Sequence, residues 1–250
     1  MKKEPVKHDY IFGTHAVLEA LKSAKSIDKI QVSRDVDSDN YAEIRQLARN
    51  QNVIIQKVPV DKINRVTRKN HQGIIAWMSP VAFCKIEDVL PGIYENGLTP
   101  FLLVLDGITD VRNFGAMVRT AECAGVQAII IPDKGAARIN ADAMKTSAGA
   151  LNRIPVCKVS VISGTVKFLK NSGLTVLGIT EKSENNLFDS SFDRPLALVM
   201  GSEDTGISNQ VMKYADTLVR VPMKGKIASL NVSVAAGVAM YEVLRQRSTI

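Results

Sequence analysis

The sequence predicts an α/β protein: a parallel sheet in the larger carboxy-terminal part, preceded by a smaller α/β domain. Three observations carry this. Beyond residue 100, uniformly apolar runs such as FLLVLD, VQAIIIP and LALVMG alternate with stretches of helical period, which is the pattern of parallel strands covered on both faces. The stretch 79–100 holds Pro80, Pro91, Gly92, Gly97 and Pro100 with little sustained periodicity, the mark of a boundary. The basic excess lies before it: residues 1–78 carry 14 Lys+Arg against 9 Asp+Glu, net +5, whereas residues 79–250 carry 18 against 16, net +2.

In chain order, HAVLEALKSA reads as a helix, KIQVS as a strand, SDNYAEIRQLARN as a helix capped near Ser38, and NVIIQKV and GIIAWM as strands. This gives a domain over residues 1–78, a linker over 79–98 and a second domain over 99–250. In the second domain FLLVLD, VQAIIIP, IPVCKVS, LTVLGIT, LALVMG and DTLVRVP read as strands. NFGAMVRTAECAG, NADAMKTSAGAL, TVKFLKNSG and the apolar run from Leu230 read as helices. Ligands of such sheets sit beyond the carboxyl ends of the strands.

Composition, 46% hydrophobic and 23% charged, is that of a globular protein, and no apolar stretch reaches the ~18 residues a membrane helix needs. Glu4, Pro5, Lys7, His8 and Asp9 occupy the place of a signal peptide's apolar region, so the expected location is the cytoplasm. Cys84, Cys123 and Cys157 suit neither a disulfide framework nor zinc, and read as buried thiols. His8, His15 and His71 are scattered, and no metal site is expected.

The densest basic run is DKINRVTRKNHQG, where Lys62, Arg65, Arg68 and Lys69, with His71 beside them, face a single Asp61. Clustered cations of this kind neutralise phosphates; a solvated face accounts for the run equally well. At strand ends, three polar, glycine-bearing loops stand out: LDGITDVRNFG, MGSEDTGIS and RVPMKGKIASLN. In the first, Asn113 reads as a helix cap, and Arg112, Ala116, Arg119 and Cys123 share one helix face, turning Arg119 away from the sheet. Gly201 and Gly206 allow close approach of a ligand to backbone, although a surface turn has the same composition. No P-loop, dinucleotide fingerprint, nucleophile elbow or Cys–His pairing is present.

Taken together, DVRNFGAMVRTAECAGV, LVMGSEDTGI and VPMKGKIASLNVSVAAGVAMYE closely resemble the three motifs of the SpoU-type (TrmH family) RNA ribose 2′-O-methyltransferases of the SPOUT class. YIFGTHAVLEAL and HQGIIA resemble the substrate-binding domain of members acting on large-subunit ribosomal RNA. The resemblance spans nearly the whole chain. It implies an α/β-knot catalytic domain behind a small RNA-binding domain resembling a ribosomal protein. It also implies a homodimer with the active site at the subunit interface and S-adenosylmethionine as cofactor. The implied reaction is 2′-O-methylation of a guanosine in 23S ribosomal RNA. Transfer RNA as substrate, or an inert RNA-binding or ribosome-assembly protein, are the alternatives.

Residue by residue, the resemblance assigns cofactor binding to Thr180, Gly201, Val221, Met223 and Leu230, and the reactive set to Asn113, Arg119, Glu203, Ser229 and Asn231. From the clustered charge, and not from the resemblance, the expected RNA contacts are Lys62, Arg65, Arg68 and Lys69, joined by Arg112. Arg119 is expected to act as a fixed cation rather than a base, since a guanidinium scarcely deprotonates. Glu203 is expected to hold Arg119 or loop backbone, and Ser229 and Asn231 to cap the last helix while facing the site. Two departures stand out. Asp204 replaces a frequent glycine and tolerates left-handed backbone less well. Val111 replaces a frequent proline.

Overall fold

Two periodicities, of two and of 3.6 residues, decide which side chains each element buries, and those faces set the layers. The computed structural model describes residues 10–23, 25–36, 39–51 and 53–248, and divides between Ala82 and Phe83 into two compact units. The cap expected at Ser38, and His8, lie outside the described residues.

In the first unit, β1 (Tyr10–Phe12), β2 (Ile27–Ser33), β3 (Ile54–Val58) and β4 (Ile74–Met78) form a sheet in the order β1-β4-β2-β3. β4 runs antiparallel to β1 and β2, and β2 runs parallel to β3. Strand side chains alternate, so Ile74 and Ala76 join α1 (Thr14–Lys22) and α2 (Asp39–Asn50) in one core with Val17, Leu21, Ile30 and Ile44. Ile75 and Trp77 belong to a smaller cluster on the other face, with Val58 and with Ile63 of α3 (Val60–Asn64). β1 and α3 span 3 and 5 residues, too few to show a period, and were not foreseen.

The stretch 79–98 differs from a linker: it forms β5 (Phe83–Cys84) and α4 (Ile86–Glu95), both in the second unit. Ile86, Leu90 and Ile93 recur at helical spacing and are buried, while Pro91 inside the helix disguises the pattern. Seven strands follow one direction in the order β11-β9-β10-β6-β7-β8-β5. They are β5, β6 (Phe101–Asp106), β7 (Ala128–Pro132), β8 (Val156–Val159), β9 (Thr175–Ile179), β10 (Leu196–Gly201) and β11 (Thr217–Val219). Every residue of β6 and β10 is buried, as the absence of alternation in FLLVLD and LALVMG requires.

Leu102, Val104, Ala197 and Val199 share a core with α4, α7 (Ile162–Asn171) and α8 (Asn209–Met212). Apart from that core, α5 (Val111–Cys123) packs against α6 (Ala141–Thr146) and α9 (Val232–Arg247), and α9 reaches β10. A side chain at Gly115 would come 2.6 Å from Thr146 Cβ, so glycine permits the close approach of α5 to α6. The far end of α9 is clamped by Arg247, which donates to the carbonyls of Phe192 at 2.9 Å, Arg194 at 2.7 Å, and Thr99 and Pro100 at 3.2 Å. The helix start is thereby held over the carboxyl end of β10. β6 lies between β10 and β7, and strand order reverses there, which is where open parallel sheets place their ligands.

Candidate active site

Beyond Gly201 the chain makes a tight hairpin, with Ser202 N–H donating to Gly206 O at 3.2 Å and Gly206 N–H returning to Ser202 O at 2.9 Å. The two hydroxyls of Ser202 and Thr205 meet at 2.7 Å, and Thr205 N–H donates to Ser202 Oγ at 3.1 Å. A Cβ at Gly201 would lie 2.1 Å from both Gly206 C and Ile207 N, so the hairpin closes only over a glycine. The left-handed step falls on Gly206, at φ +71°, and not on Asp204. The Asp204 departure therefore costs the loop no strain. Asp106 at the end of β6 secures the hairpin's exit, accepting from Ser208 N–H at 2.8 Å.

The hairpin tip presents Glu203 to the start of α9. One carboxylate oxygen, Oε1, accepts from Asn231 Nδ2 at 2.8 Å and from Val232 N–H at 3.3 Å. Asn231 Nδ2 also donates to Asn113 Oδ1 at 3.1 Å, while Asn231 Oδ1 accepts from Ser233 N–H at 3.0 Å and Ser233 Oγ at 2.6 Å. Glu203, Asn231 and Asn113 thus form one polar chain across the ends of β10, α9 and α5. The carboxylate beside the first turn of α9 also complements the helix dipole.

Two sequence expectations change. Asn113 is not the cap of α5: Asp110 is, accepting from Asn113 N–H at 2.7 Å, which frees the Asn113 amide for Asn231. Ser229 is not the cap of α9 either, because Asn231 fills that role. Of the two partners expected for Glu203, Arg119 or loop backbone, it takes backbone, at the start of α9, together with the Asn231 side chain. Val111 is the first residue of α5, where proline is favoured but no backbone donor is required.

A cavity of about 510 Å³ opens beside this chain, at the carboxyl ends of β9 and β10. Thr180, Gly201, Val221, Met223 and Leu230 all line it, and so do Glu203, Ser229 and Asn231. Glu181, Lys182 and Asp204 add charge to its rim. One wall has a lacing that sequence reading missed. Thr180 N–H donates to Val219 O at 2.9 Å, and the carbonyl of Leu218 accepts from Ser183 Oγ at 2.6 Å and Asn185 Nδ2 at 3.1 Å. Arg220 N–H returns to Asn185 O at 2.9 Å. These bonds fix Thr180–Lys182 against the strand that leads to Val221.

Arg119 stands apart. It is exposed on α5 and does not line the cavity; six residues beyond Asn113, it lies about 9 Å further along the helix. Arg112 is exposed in the first turn of the same helix. In the first unit Lys62, Arg65, Arg68 and Lys69 are all exposed. His71 is not part of that cationic set: it is buried, its Nδ1 accepts from Gly73 N–H at 2.9 Å and its Nε2 pairs with Asn64 Oδ1 at 2.8 Å. That arrangement places the proton on Nε2 of a neutral ring and fastens the turn before β4.

Of the cysteines, Cys157 is buried, Cys84 half-buried and Cys123 exposed, so only one fits the expectation of a fully buried thiol. Burial, with Cys84 adjacent, pushes the Cys157 thiol up to about 12, which leaves it unreactive. Among the described residues, no three His, Cys, Asp or Glu side chains gather as a metal site, and no helix is long and apolar enough to cross a membrane.

Comparison with known proteins adds the following. Residues 100–241 match the model of the SpoU rRNA Methylase family, and residues 10–83 match that of RNA 2′-O ribose methyltransferase substrate binding. The TrmH family protein YacO of Bacillus subtilis is 34% identical over 244 residues, covering 98% of each chain. A TrmH family protein of Staphylococcus aureus is 34% identical over 240 residues, 96% of this chain and 97% of its own. Among solved structures, the SpoU methyltransferase AviRb of Streptomyces viridochromogenes, in complex with AdoMet, superposes with a TM-score of 0.61 at 20% identity, over 96% of this chain and 91% of its own. The A. aeolicus TrmH/SpoU tRNA modifying enzyme has a TM-score of 0.56 at 29% identity, over 65% and 84%.

Proposed function

The chain belongs to the SpoU rRNA methylase family, and from that premise we propose that it methylates a ribose 2′-hydroxyl of RNA with S-adenosylmethionine as donor. The observation that carries the reading is the convergence of Thr180, Gly201, Val221, Met223 and Leu230 on one cavity whose rim continues into the Glu203–Asn231–Asn113 chain.

The cavity fits the cofactor. Its volume of about 510 Å³ lies within the about 300–1,000 Å³ usual for cofactor sites, and its walls are the backbone-rich loops after β9, β10 and β11. When bound, S-adenosylmethionine supplies an electrophilic methyl group on a sulfonium. The protein's part is alignment. Gly201 lets the hairpin close, the Ser183 and Asn185 lacing holds the opposite wall, and Glu203 fixes Asn231 so that the two asparagines present amide groups toward a ribose. Arg119 serves as a permanent cation that stabilises negative charge on the attacking oxygen or a neighbouring phosphate.

In our reading Arg119 comes to the site from a second copy of the chain, and α9 carries the surface for one. Val234 and Tyr241, 51% and 50% exposed, flank half-buried Val238 at helical spacing, and Ile227 just before the helix is 75% exposed. We assign this apolar stripe to a homodimer contact. The substrate in our reading is a guanosine of large-subunit ribosomal RNA, delivered by residues 1–78 through Lys62, Arg65, Arg68 and Lys69. Transfer RNA is the second reading, favoured by the 29% identity to a tRNA modifying enzyme.

Tritiated methyl transfer to bulk RNA separates an enzyme from an inert binder. Arg119→Lys retains measurable transfer and Arg119→Ala loses most of it. Equal loss in both, with cofactor binding intact by calorimetry, overturns the electrostatic role of Arg119. Mapping 2′-O-methyls in ribosomal and transfer RNA from cells with and without the protein assigns the substrate.

A further inference from the structure

The second unit presents cations of its own beside the polar chain. Strand order β9-β10-β6-β7 puts the cavity at the ends of β9 and β10, Asn113 at the end of β6, and the loop 133–140 at the end of β7. With the cavity on one side of Asn113 assigned to the cofactor, the β7 loop is the neighbouring strand-end loop on the other side, within reach of a polymer whose ribose lies at Asn113.

Two backbone hydrogen bonds anchor that loop. Asp133 N–H donates to Val159 O at 2.8 Å, and Ala137 N–H donates to Ile108 O at 2.7 Å, tying the loop to the one that launches α5. Ala137 and Ile139 are buried, and Asn140 caps α6 by accepting from Ala143 N–H at 3.0 Å. Arg138 stands between two buried neighbours and is therefore turned outward; it and Lys134 are exposed. Among the described residues, neither takes part in a hydrogen bond or ion pair. Charges on the same stretch are Asp133, half-buried, and Asp142, exposed, so the two cations are not locally neutralised by contact. With the backbone on either side of it tied down, the ordering cost of meeting a phosphate is confined to the Arg138 side chain, and the planar fork of a guanidinium loses less per hydrogen bond formed than an ammonium does.

Resting on the RNA-methylation reading, we propose that Arg138, supported by Lys134, contacts the phosphate backbone of the substrate RNA next to the target ribose. The catalytic unit then binds RNA directly and does not depend on residues 1–78 alone for its grip. Each phosphate neutralised releases counterions, so each lost contact lowers the slope of log K against log salt by about 0.7–0.9.

The test titrates a short fluorescein-labelled RNA hairpin into the full-length protein across a salt series, comparing wild type, Arg138→Ala, Arg138→Lys and the Lys134→Ala/Arg138→Ala pair. Arg138→Ala is expected to weaken binding several-fold and reduce the slope by close to one contact, Arg138→Lys to recover the slope, and the pair to lose close to two. S-adenosylmethionine affinity by calorimetry and the melting temperature stay at wild-type values in all three. A slope unchanged in Arg138→Ala, or weaker binding that Arg138→Lys does not restore, overturns the proposal. Failure of the wild type to bind the hairpin or the cofactor rejects instead the RNA-methylation reading on which it rests.

Discussion

Removing the Glu203 side chain tests whether a distant loop caps α9. Glu203→Ala deletes two bonds to one oxygen, at 2.8 Å from Asn231 Nδ2 and 3.3 Å from Val232 N–H, together with a negative charge at a helix amino terminus. Charge-assisted bonds contribute about 1.5–3 kcal/mol when shielded from water, but Glu203 is exposed and one bond is long, so the lower end applies. The dipole term adds about 0.3–1 kcal/mol. Water and the remaining Asn231 cap recover part of this, leaving a local loss of about 1–2 kcal/mol. Tryptophan fluorescence cannot report it, because the only tryptophan, Trp77, lies in the first unit. Hydrogen exchange at the amides of Val232, Val234 and Ala235 does, and about 1–2 kcal/mol corresponds to roughly 5–30-fold faster exchange. Glu203→Gln keeps an acceptor oxygen and loses only the charge, so its acceleration is smaller than that of Glu203→Ala. Exchange in Glu203→Ala within twofold of wild type would refute the capping role and with it the argument that this carboxylate orients Asn231.

Three further outcomes follow from the same geometry. Gly201→Ala drives a Cβ to 2.1 Å from backbone atoms that no rotamer can move; the hairpin opens, stability falls by about 1–3 kcal/mol or more, and both the melting temperature and calorimetric cofactor binding drop. Ser183→Ala removes the 2.6 Å bond to Leu218 O, worth about 1 kcal/mol or fivefold in cofactor affinity, with RNA affinity unchanged as the contrasting measurement. The bonds from Arg245 first, helped by Gln246, hold the Glu242 carboxyl at about 2 against an ordinary 4.5. A depressed folded-state pKa gives stability that is fully present above the ordinary range and lost as pH falls toward 2. Denaturant melts should therefore show wild type exceeding Glu242→Gln at neutral pH, with the gap closing between about pH 4.5 and 2.

Sequence reading succeeded where information is local and repeated. FLLVLD and LALVMG cannot be half-exposed strands, because apart from the terminal Asp106 nothing in them is polar enough to face water, and both proved buried throughout. It failed where a local rule was ambiguous. Proline and glycine in 79–98 suggest a linker by composition, yet Ile86, Leu90 and Ile93 keep a helical period through Pro91, and a helix of 10 residues packed on a core overrides the single lost backbone bond. Asp110 and Asn113 are both good capping residues three positions apart, and only the coordinates show that the aspartate caps and the asparagine is released.

Contacts between remote segments were the least legible part of the site. Glu203 and Asn231 are 28 residues apart, and Asn231 and Asn113 are 118 apart; no periodicity encodes either pairing, and family resemblance supplied the residues without their partners. The consequence concerns Arg119. Of the two partners expected for Glu203, Arg119 or loop backbone, the carboxylate is engaged with Asn231 and α9 backbone, and the arginine is exposed well along α5. In the role proposed for it, a cation that neither lines the cavity nor pairs with its carboxylate requires either movement of α5 or a partner. Movement is unfavourable, because α5 is packed between α6 and α9 and Gly115 leaves no slack against Thr146. The exposed apolar stripe of α9 makes the partner the more economical answer. Mixing Arg119→Ala with Glu203→Ala decides it: if the site is shared, heterodimers regain one intact composite site and methyl transfer returns, whereas two inactive parents that stay inactive when mixed would place Arg119 and Glu203 in the same protomer's site.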